Sequence, residues 1–300
     1  MKADDALVFI DASQYLDLYR AIRGKQLLET LLEQKDHIFV TVQIVNGVQR
    51  NKLKIAAGFL TRQFEQLKVH GVAIPDHLFD ISGDTAATLR KKLHDIDKRI
   101  KEVNDDLKNA AVQTLRRISL SRDEVSKALA ALFSKAVTYT AEEFQRARDR
   151  KEIGNPPGKK SDSLGDQLTW EQLLSNCKDE SKLWIISNDA DYWTEYSDEV
   201  FLNPLLYQDL ARTPQPTIDV FCFKNLGKGF DHFVKTTGVK ADKLPSQEAL
   251  QEIESEQDAL PPLGRLSTLD VANDAAIQSQ WWWQWASPPL IRPPGGGSPP

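Results

Sequence analysis

Short apolar runs punctuate the chain, and amphipathic stretches separate them. Leu7, Val8, Phe9 and Ile10 form the first run, HIFVTV (37–42) the second, Leu183 to Ile186 the third and TIDVFCF (217–223) the fourth. Each is short, continuous and rich in β-branched or aromatic residues, the signature of a strand buried on both faces of a parallel sheet. Between the first two, Tyr15, Leu16, Leu18, Tyr19 and Ile22 recur at helical spacing, Gly24 offers a break, and Leu27, Leu28, Leu31 and Leu32 resume the pattern. A strand, a helical crossover and a strand imply a parallel pair. Residues 43–68 read as a further helix, and Val72 to Ile74, closed by Pro75, as a short edge strand. Later helices carry Leu164, Leu168, Trp170, Leu173 and Leu174, then 203–211, then Leu226, Phe230, Phe233 and Val234. Strands alternating with helices predict an α/β fold with a parallel sheet.

The middle of the chain follows another period. Leu89, Leu93, Ile96, Ile100, Val103 and Leu107 alternate spacings of four and three, a heptad seam bordered by Lys, Arg, Asp and Glu. A second helical run from Asp123 to about Arg150 carries Val125, Leu129, Leu132, Phe133, Val137 and Phe144. An antiparallel hairpin that packs on itself is the favoured expectation, ahead of a dimerising coiled coil, because the seam is short for an independent zipper. The division that follows is 1–79 for the first half of the α/β core, 80–150 for a helical insertion, 151–237 for the second half, and 238–300 for a C-terminal extension. The extension ends in WWWQWASPPLIRPPGGGSPP, a composition that predicts a largely mobile tail.

Composition narrows the class. A net charge of −5 argues against a generally basic nucleic-acid coat, although a local basic patch binds phosphate on an acidic protein. Cys177 and Cys222 stand far apart with no metal-ligand spacing, which gives no zinc signal and fits a reducing compartment. No apolar run approaches the roughly 20 residues that span a bilayer, and no secretion signal opens the chain, so the expectation is a cytoplasmic protein with no membrane partner.

Candidate chemistry sits where the runs end. Asp11 follows the first run, and Asp189 and Asp191 follow the third; in open α/β sheets, ligands collect beyond the carboxyl ends of the strands. Asp166 stands near the start of the helix that precedes the third run. An isolated Asp at a strand end is more often a cap or turn former, but three at sheet-compatible positions point to a site. Just ahead of Asp166, Arg146, Arg148, Arg150, Lys151, Lys159 and Lys160 concentrate positive charge, with Gly154, Pro156, Pro157 and Gly158 stiffening the connection. Taken alone, such a run is as readily a solvated helix end as a phosphate-binding patch. Its place between acidic elements favours the phosphate.

The set LVFIDASQYLDLY, GNPPGKKSDSLGDQLTWEQLL and LWIISNDADYW resembles the PIN-domain superfamily of metal-dependent nucleases, in particular its PIN-like branch with a large helical insertion. The similarity runs from the N-terminus to about residue 237. It implies a PIN-like, Rossmann-like parallel sheet of order 3-2-1-4-5 between helices, with acidic residues gathered at the strand C-termini. By similarity, Asp11 carries the family's first aspartate, Asp166 the one on the helix before the fourth strand, and Asp189 the one after that strand; Asp191 and Asp162 assist. One departure stands out. The family places a glutamate on the helix after the second strand, where this chain has Gly47 beside Asn46, with Gln43 one turn earlier. No Asp or Glu occurs between Asp36 and Glu65.

Carboxylates crowded together raise at least one pKa unless a cation relieves them. A divalent ion does so, and it also acidifies a bound water and stabilises charge on a scissile phosphate. The resulting expectation is a Mg²⁺- or Mn²⁺-dependent ribonuclease acting on RNA, single-stranded by preference. Asp11, Asp166, Asp189 and Asp191 are its metal ligands, Arg150, Lys159 and Lys160 steer the phosphate backbone, and Ser13 orients a water or a carboxylate. The alternative is a PIN-like module that has lost catalysis with the glutamate and binds RNA or a protein partner, the helical insertion offering a protein or homodimer contact. A phosphatase or other phosphoryl-transfer enzyme is a third reading, weakened by the absence of a Walker-type phosphate loop.

Overall fold

Four parallel strands form the centre of the computed structural model: β1 (Ala6–Ile10), β2 (Ile38–Phe39), β3 (Lys182–Ile186) and β6 (Asp219–Phe223), in the order β2-β1-β3-β6. The structure describes residues 5–67, 84–158, 163–178, 180–197, 199–212 and 218–259. All three pairings are parallel, and Ile10, Ile186 and Phe223 lie in one row across the sheet. The row beyond them is fixed by the backbone: Asp11 N–H donates to the Ile186 carbonyl at 2.9 Å, and Ser187 N–H to the Phe223 carbonyl at 3.0 Å. The residue after each strand therefore stands on the same rim. Val8, Phe9, Ile10 and Leu183 to Ile186 are fully buried, as their continuous apolar runs require.

Two helices, α1 (Ala12–Asp17) and α2 (Gly24–Glu33), cross from β1 to β2, and α3 (Val42–Leu67) follows β2 directly. Then come α4 (Asp84–Ser119), α5 (Glu124–Phe133), α6 (Ala141–Ile153) and α7 (Gly165–Asn176), which lead into β3. This order is that of a PIN-like α/β core. The expected edge strand at Val72 to Ile74 lies outside the described residues. Among the described residues, the β2 edge is instead met by Val137, whose N–H donates to Val40 O at 2.9 Å and whose carbonyl accepts from Val42 N at 3.0 Å.

That contact corrects the expectation of one helical run from Asp123 to Arg150. The chain leaves α5 at Phe133 and returns to the sheet edge. It restarts at Thr140, whose hydroxyl and the Glu143 carboxylate form a reciprocal capping box. The two pieces then part: α5 packs on α2, with the Phe133 ring edge-on to Tyr15, and α6 packs on α7. Neither forms the expected hairpin with α4, which packs on α3.

The α6–α7 contact is built on charge. Arg150, 9 % exposed, donates from Nε to Glu171 Oε1 at 2.8 Å, from Nη1 to Pro156 O at 2.8 Å and from Nη2 to Asp209 Oδ2 at 2.7 Å. Arg146 adds a bond to the other Glu171 oxygen at 2.9 Å. Asp209 belongs to α8 (Pro204–Ala211) and also accepts from Trp170 Nε1 at 3.3 Å. Arg150 is thus a buried clamp between three helices, and the expectation that it binds substrate is overturned: its donors are directed to interior acceptors.

One further element was not anticipated, a hairpin of β4 (Trp193–Tyr196) and β5 (Glu199–Leu202) that precedes α8. Helix α10 (Gln247–Asp258) follows α9 (Leu226–Thr237), in an acidic segment with some helical spacing in its sequence. The segment 238–259 is docked on the core. Leu250 and Ile253 are buried, Thr30 and Gln34 donate to Lys243 O and Lys240 O, and Glu33 accepts from the Asp242 and Lys243 N–H groups. The first part of the expected extension, 238–259, thus packs against the core. None of the described helices is long and apolar enough to cross a membrane.

Removing one member of a buried ion cluster strands the others in low dielectric, which costs about 3–5 kcal/mol. Arg150→Ala is expected to lower the unfolding free energy by about that amount in urea titrations. A change typical of a solvated surface arginine, within about 0.5 kcal/mol, would contradict the buried clamp.

Candidate functional site

Asp11 ends β1 and begins α1 in one residue. Its Oδ2 accepts from Ser13 N at 3.1 Å and from Ser13 Oγ at 2.5 Å, so it serves as the N-cap of α1. Burial pushes its carboxyl above the ordinary carboxylate range. The Ser13 bonds pull it back, and the charge of Asp189 adds to the rise. Ser13, expected to touch substrate or orient a carboxylate, holds the Asp11 carboxylate.

The loop after β3 is tied down at several points. Asp189 N–H donates to Ser187 Oγ at 3.0 Å, Asp191 N–H to Asp189 Oδ1 at 3.0 Å, and Trp193 Nε1 to Ser187 O at 2.9 Å. Asn188 Nδ2 reaches back to Asp17 Oδ2 at 2.7 Å. The other oxygen of Asp17 takes Arg20 Nε at 2.7 Å and Nη2 at 2.6 Å. Burial raises the Asp17 carboxyl against the downward pull of Arg20 and Asn188. This Asp17–Arg20–Asn188 brace was missed in the sequence. Its one visible signal was the i, i+3 spacing of Asp17 and Arg20 on a helix that also begins with Asp11.

Asp166 lies in the first turn of α7, where a helix N-terminus favours a carboxylate. The turn before it passes very close: a Cβ on Gly158, which has φ +82°, would lie 3.3 Å from Asp166 Cβ and 2.6 Å from Gln167 Nε2. Only glycine fits there on both counts. Lys159, Lys160 and Asp162 lie outside the described residues.

Tyr192 shows how these segments converge. Its side chain is buried against Phe9 and Trp170. Burial first, and then the charges of Asp11, Asp166, Asp189 and Asp191, hold its hydroxyl proton well above the ordinary tyrosine range. Four carboxylates from three distant parts of the chain thus act on one buried phenol. They are gathered without being fused: among the described residues, no three His, Cys, Asp or Glu side chains form a group that could hold a metal ion.

Carboxylate oxygens are the donors that Mg²⁺ and Mn²⁺ take, and Mg²⁺ commonly uses one or two carboxylates and keeps several waters. The residues fit such an ion in charge and donor type. Gly47 of α3 lies over the start of α1, where a Cβ would meet Ala12 Cβ at 3.4 Å; the departure from the family's glutamate is therefore located beside Asp11. Lys224, just past β6, places a cation next to this region. It pairs with Glu195, and its Nζ lies 5.4 Å above the Trp193 ring. The sequence signal for it was its place one residue beyond an apolar strand.

Because folded Asp11 keeps its proton to higher pH than an exposed carboxyl near 3.8, the native state binds more protons in that window, and stability falls as pH rises through it. Asn caps a helix as well as Asp. In chelator at neutral pH, Asp11→Asn is expected to unfold a few degrees above the wild type, the gap closing on acidification. A gap that widens toward acid would reverse the sign and remove the crowding.

The profile of a PIN-like domain family matches residues 7–206, a span that contains Asp11, Gly47, Asp166, Asp189 and Asp191. No curated protein and no solved structure matches the chain. The match covers most of the sequence and agrees with the parallel sheet flanked by helices: this chain belongs to the PIN-like domain family, within a superfamily of nuclease type.

Proposed function

We propose that the chain is a metal-dependent ribonuclease that hydrolyses RNA phosphodiester bonds at the acidic rim of its sheet. What supports this reading is that Asp11 and the loop carrying Asp189 stand on one rim of the sheet, and that the charges of Asp11, Asp166, Asp189 and Asp191 add to burial in holding the proton of Tyr192. Asp11, Asp166 and Asp189, assisted by Asp191, are the residues that would hold Mg²⁺ or Mn²⁺. When bound, that ion acidifies a water and stabilises charge on the phosphate. Ser13 fixes the Asp11 carboxylate, the Asp17–Asn188 bond fixes the loop that carries Asp189, and Tyr192 keeps its proton on Oη at neutral pH.

Substrate is held from outside the cluster. Lys159 and Lys160 retain their proposed role on the phosphate backbone, and Lys224 takes the one first expected of Arg150. Tyr196 and Phe201, 75 % and 51 % exposed, share the outer face of the β4–β5 hairpin that grows out of the Asp189 loop. Exposed aromatic faces stack unpaired bases, which supports a single-stranded substrate. Cys177 and Cys222 are free, and burial pushes their thiols up to about 11 and about 12, so neither is a ready nucleophile. Unpaired thiols support a reducing compartment, the cytoplasm.

Gly47 and the absence of a three-carboxylate group among the described residues favour a second reading, a binding module without catalysis. Incubating a mixed single-stranded RNA pool with Mn²⁺ separates the two. The wild type is expected to cleave, and Asp11→Asn to fall to the metal-free background. Asp17→Asn is expected to lose about 10–100-fold, as outer partners of metal ligands do. RNA retained with a steep salt dependence but left intact would favour the binding module. Gly47→Glu adds a carboxylate beside Ala12 and is expected to tighten Mn²⁺ binding in calorimetry; unchanged affinity would separate α3 from the ion site.

A further inference from the structure

The heptad seam on α4 has lost the partner the sequence offered it. The run that was to complete a hairpin is divided into α5 and α6, which pack on α2 and α7. Ile96 and Val103, in the middle of the seam, are 51 % and 52 % exposed, and Leu89, Leu93, Ile100 and Leu107 are half-buried. Six aliphatic residues in strict alternation of three and four along a 36-residue helix are more than its packing on α3 covers, since Ile96 and Val103 stay exposed.

From this we infer that α4 is a self-association surface: two copies of the chain pair along Leu89–Leu107 as a short parallel coiled coil. The spacing places Leu93, Ile100 and Leu107 at the a positions and Leu89, Ile96 and Val103 at d, with no polar residue in any layer. The flanking charges select the orientation. Lys92, Arg99 and Asp106 occupy g, and Arg90, Asp97 and Asn104 occupy e. In a parallel pair each g residue meets the e residue five positions on in the second copy. Lys92 then faces Asp97 on both sides of the seam, and Arg99 faces Asn104. In the centred antiparallel pair Lys92 faces Asp106 on both sides, which matches the two attractive contacts of the parallel pair, but Asp97 also faces Asp97 and Arg99 faces Arg99, two like-charge contacts that the parallel pair avoids.

The seam is about 27 Å long at helical rise, too short to fold two free peptides together. Here the helix is already formed, and its C-terminal end is fixed to the domain. Ile118 is buried, and Lys52 of α3 donates to Ser121 and Ser126, just past the end of α4, at 2.7 and 2.9 Å. Association therefore bears little of the ordering cost that limits short zippers. The inference stands apart from the ribonuclease reading, since it uses no residue of the acidic rim.

Sedimentation velocity and light scattering on the full chain test it. The wild type is expected at twice the chain mass of 33.8 kDa, and Ile96→Asp/Val103→Asp at the single mass, with helical circular dichroism unchanged. Lys92→Glu is expected to loosen the dimer severalfold, and Lys92→Glu/Asp97→Lys to restore it, an arm that touches only exposed charges and does not depend on how the Asp variant folds. A wild type that stays monomeric over the whole accessible concentration range overturns the inference. So does a dimer that survives the double Asp change, or a charge reversal that fails to restore it.

Discussion

Like charges held close together in a poorly hydrated place are the constraint around which this molecule is arranged. The parallel register of β1, β3 and β6 leaves no choice about where the residues after Ile10 and Ile186 go: they occupy neighbouring rows of one rim. Burial there, with the neighbouring carboxylates adding to it, raises Asp11 and holds the Tyr192 proton. The local hydrogen bonds around the rim read as restraints against that repulsion. Ser13 grips Asp11, Ser187 and Asp191 fold the 187–191 loop on itself, and Asn188 anchors it to Asp17. Carboxylates raised by burial and by one another are relieved by a bound cation, which is the link between these electrostatics and the reading proposed above.

The buried Arg150 cluster serves that rim from a distance. By bonding Glu171, Asp209 and the Pro156 carbonyl together, it fixes α6, α7, α8 and the turn that leads to Gly158. Gly158 in turn presses on the first turn of α7, where Asp166 is carried. The arginine that the basic run offered as a phosphate contact instead sets the position of an acid. Buried ion clusters of this kind are not strong sources of net stability, but they specify one packing among several, a role the junction of three helices requires.

Strands, crossovers and the rim acids were legible because each rests on local rules: continuous apolar runs, helical periodicity, and carboxylates at strand ends. What was not legible depended on tertiary competition. The run 123–150 keeps a helical pattern throughout, and only the bonds of Val137 to Val40 and Val42 on the β2 edge divide it. Arg150 looks no different from Arg148 in sequence, and burial alone separates their roles. The β4–β5 hairpin was hidden by its length, four residues a side, and by Ser197, a non-glycine residue with φ 48° at its turn. Helix α10 left only a weak trace in its acidic composition, since among its described side chains Leu250 and Ile253 are the apolar ones buried.

The vacancy at Gly47 follows from the same electrostatics. A glutamate there would bring a further negative charge to the start of α1, beside an Asp11 that burial and Asp189 already push upward. Without it, the metal-free rim bears less repulsion and α3 approaches α1 closely at Ala12. The cost falls on coordination, because an ion at the rim must then complete its shell with water or with oxygens of the substrate. Mg²⁺ tolerates that arrangement better than most ions, since it sheds its waters reluctantly. On the proposed reading, a rim without an α3 ligand would suit an ion that arrives hydrated and is completed by phosphate, so that metal and nucleic acid would bind more tightly together than either alone.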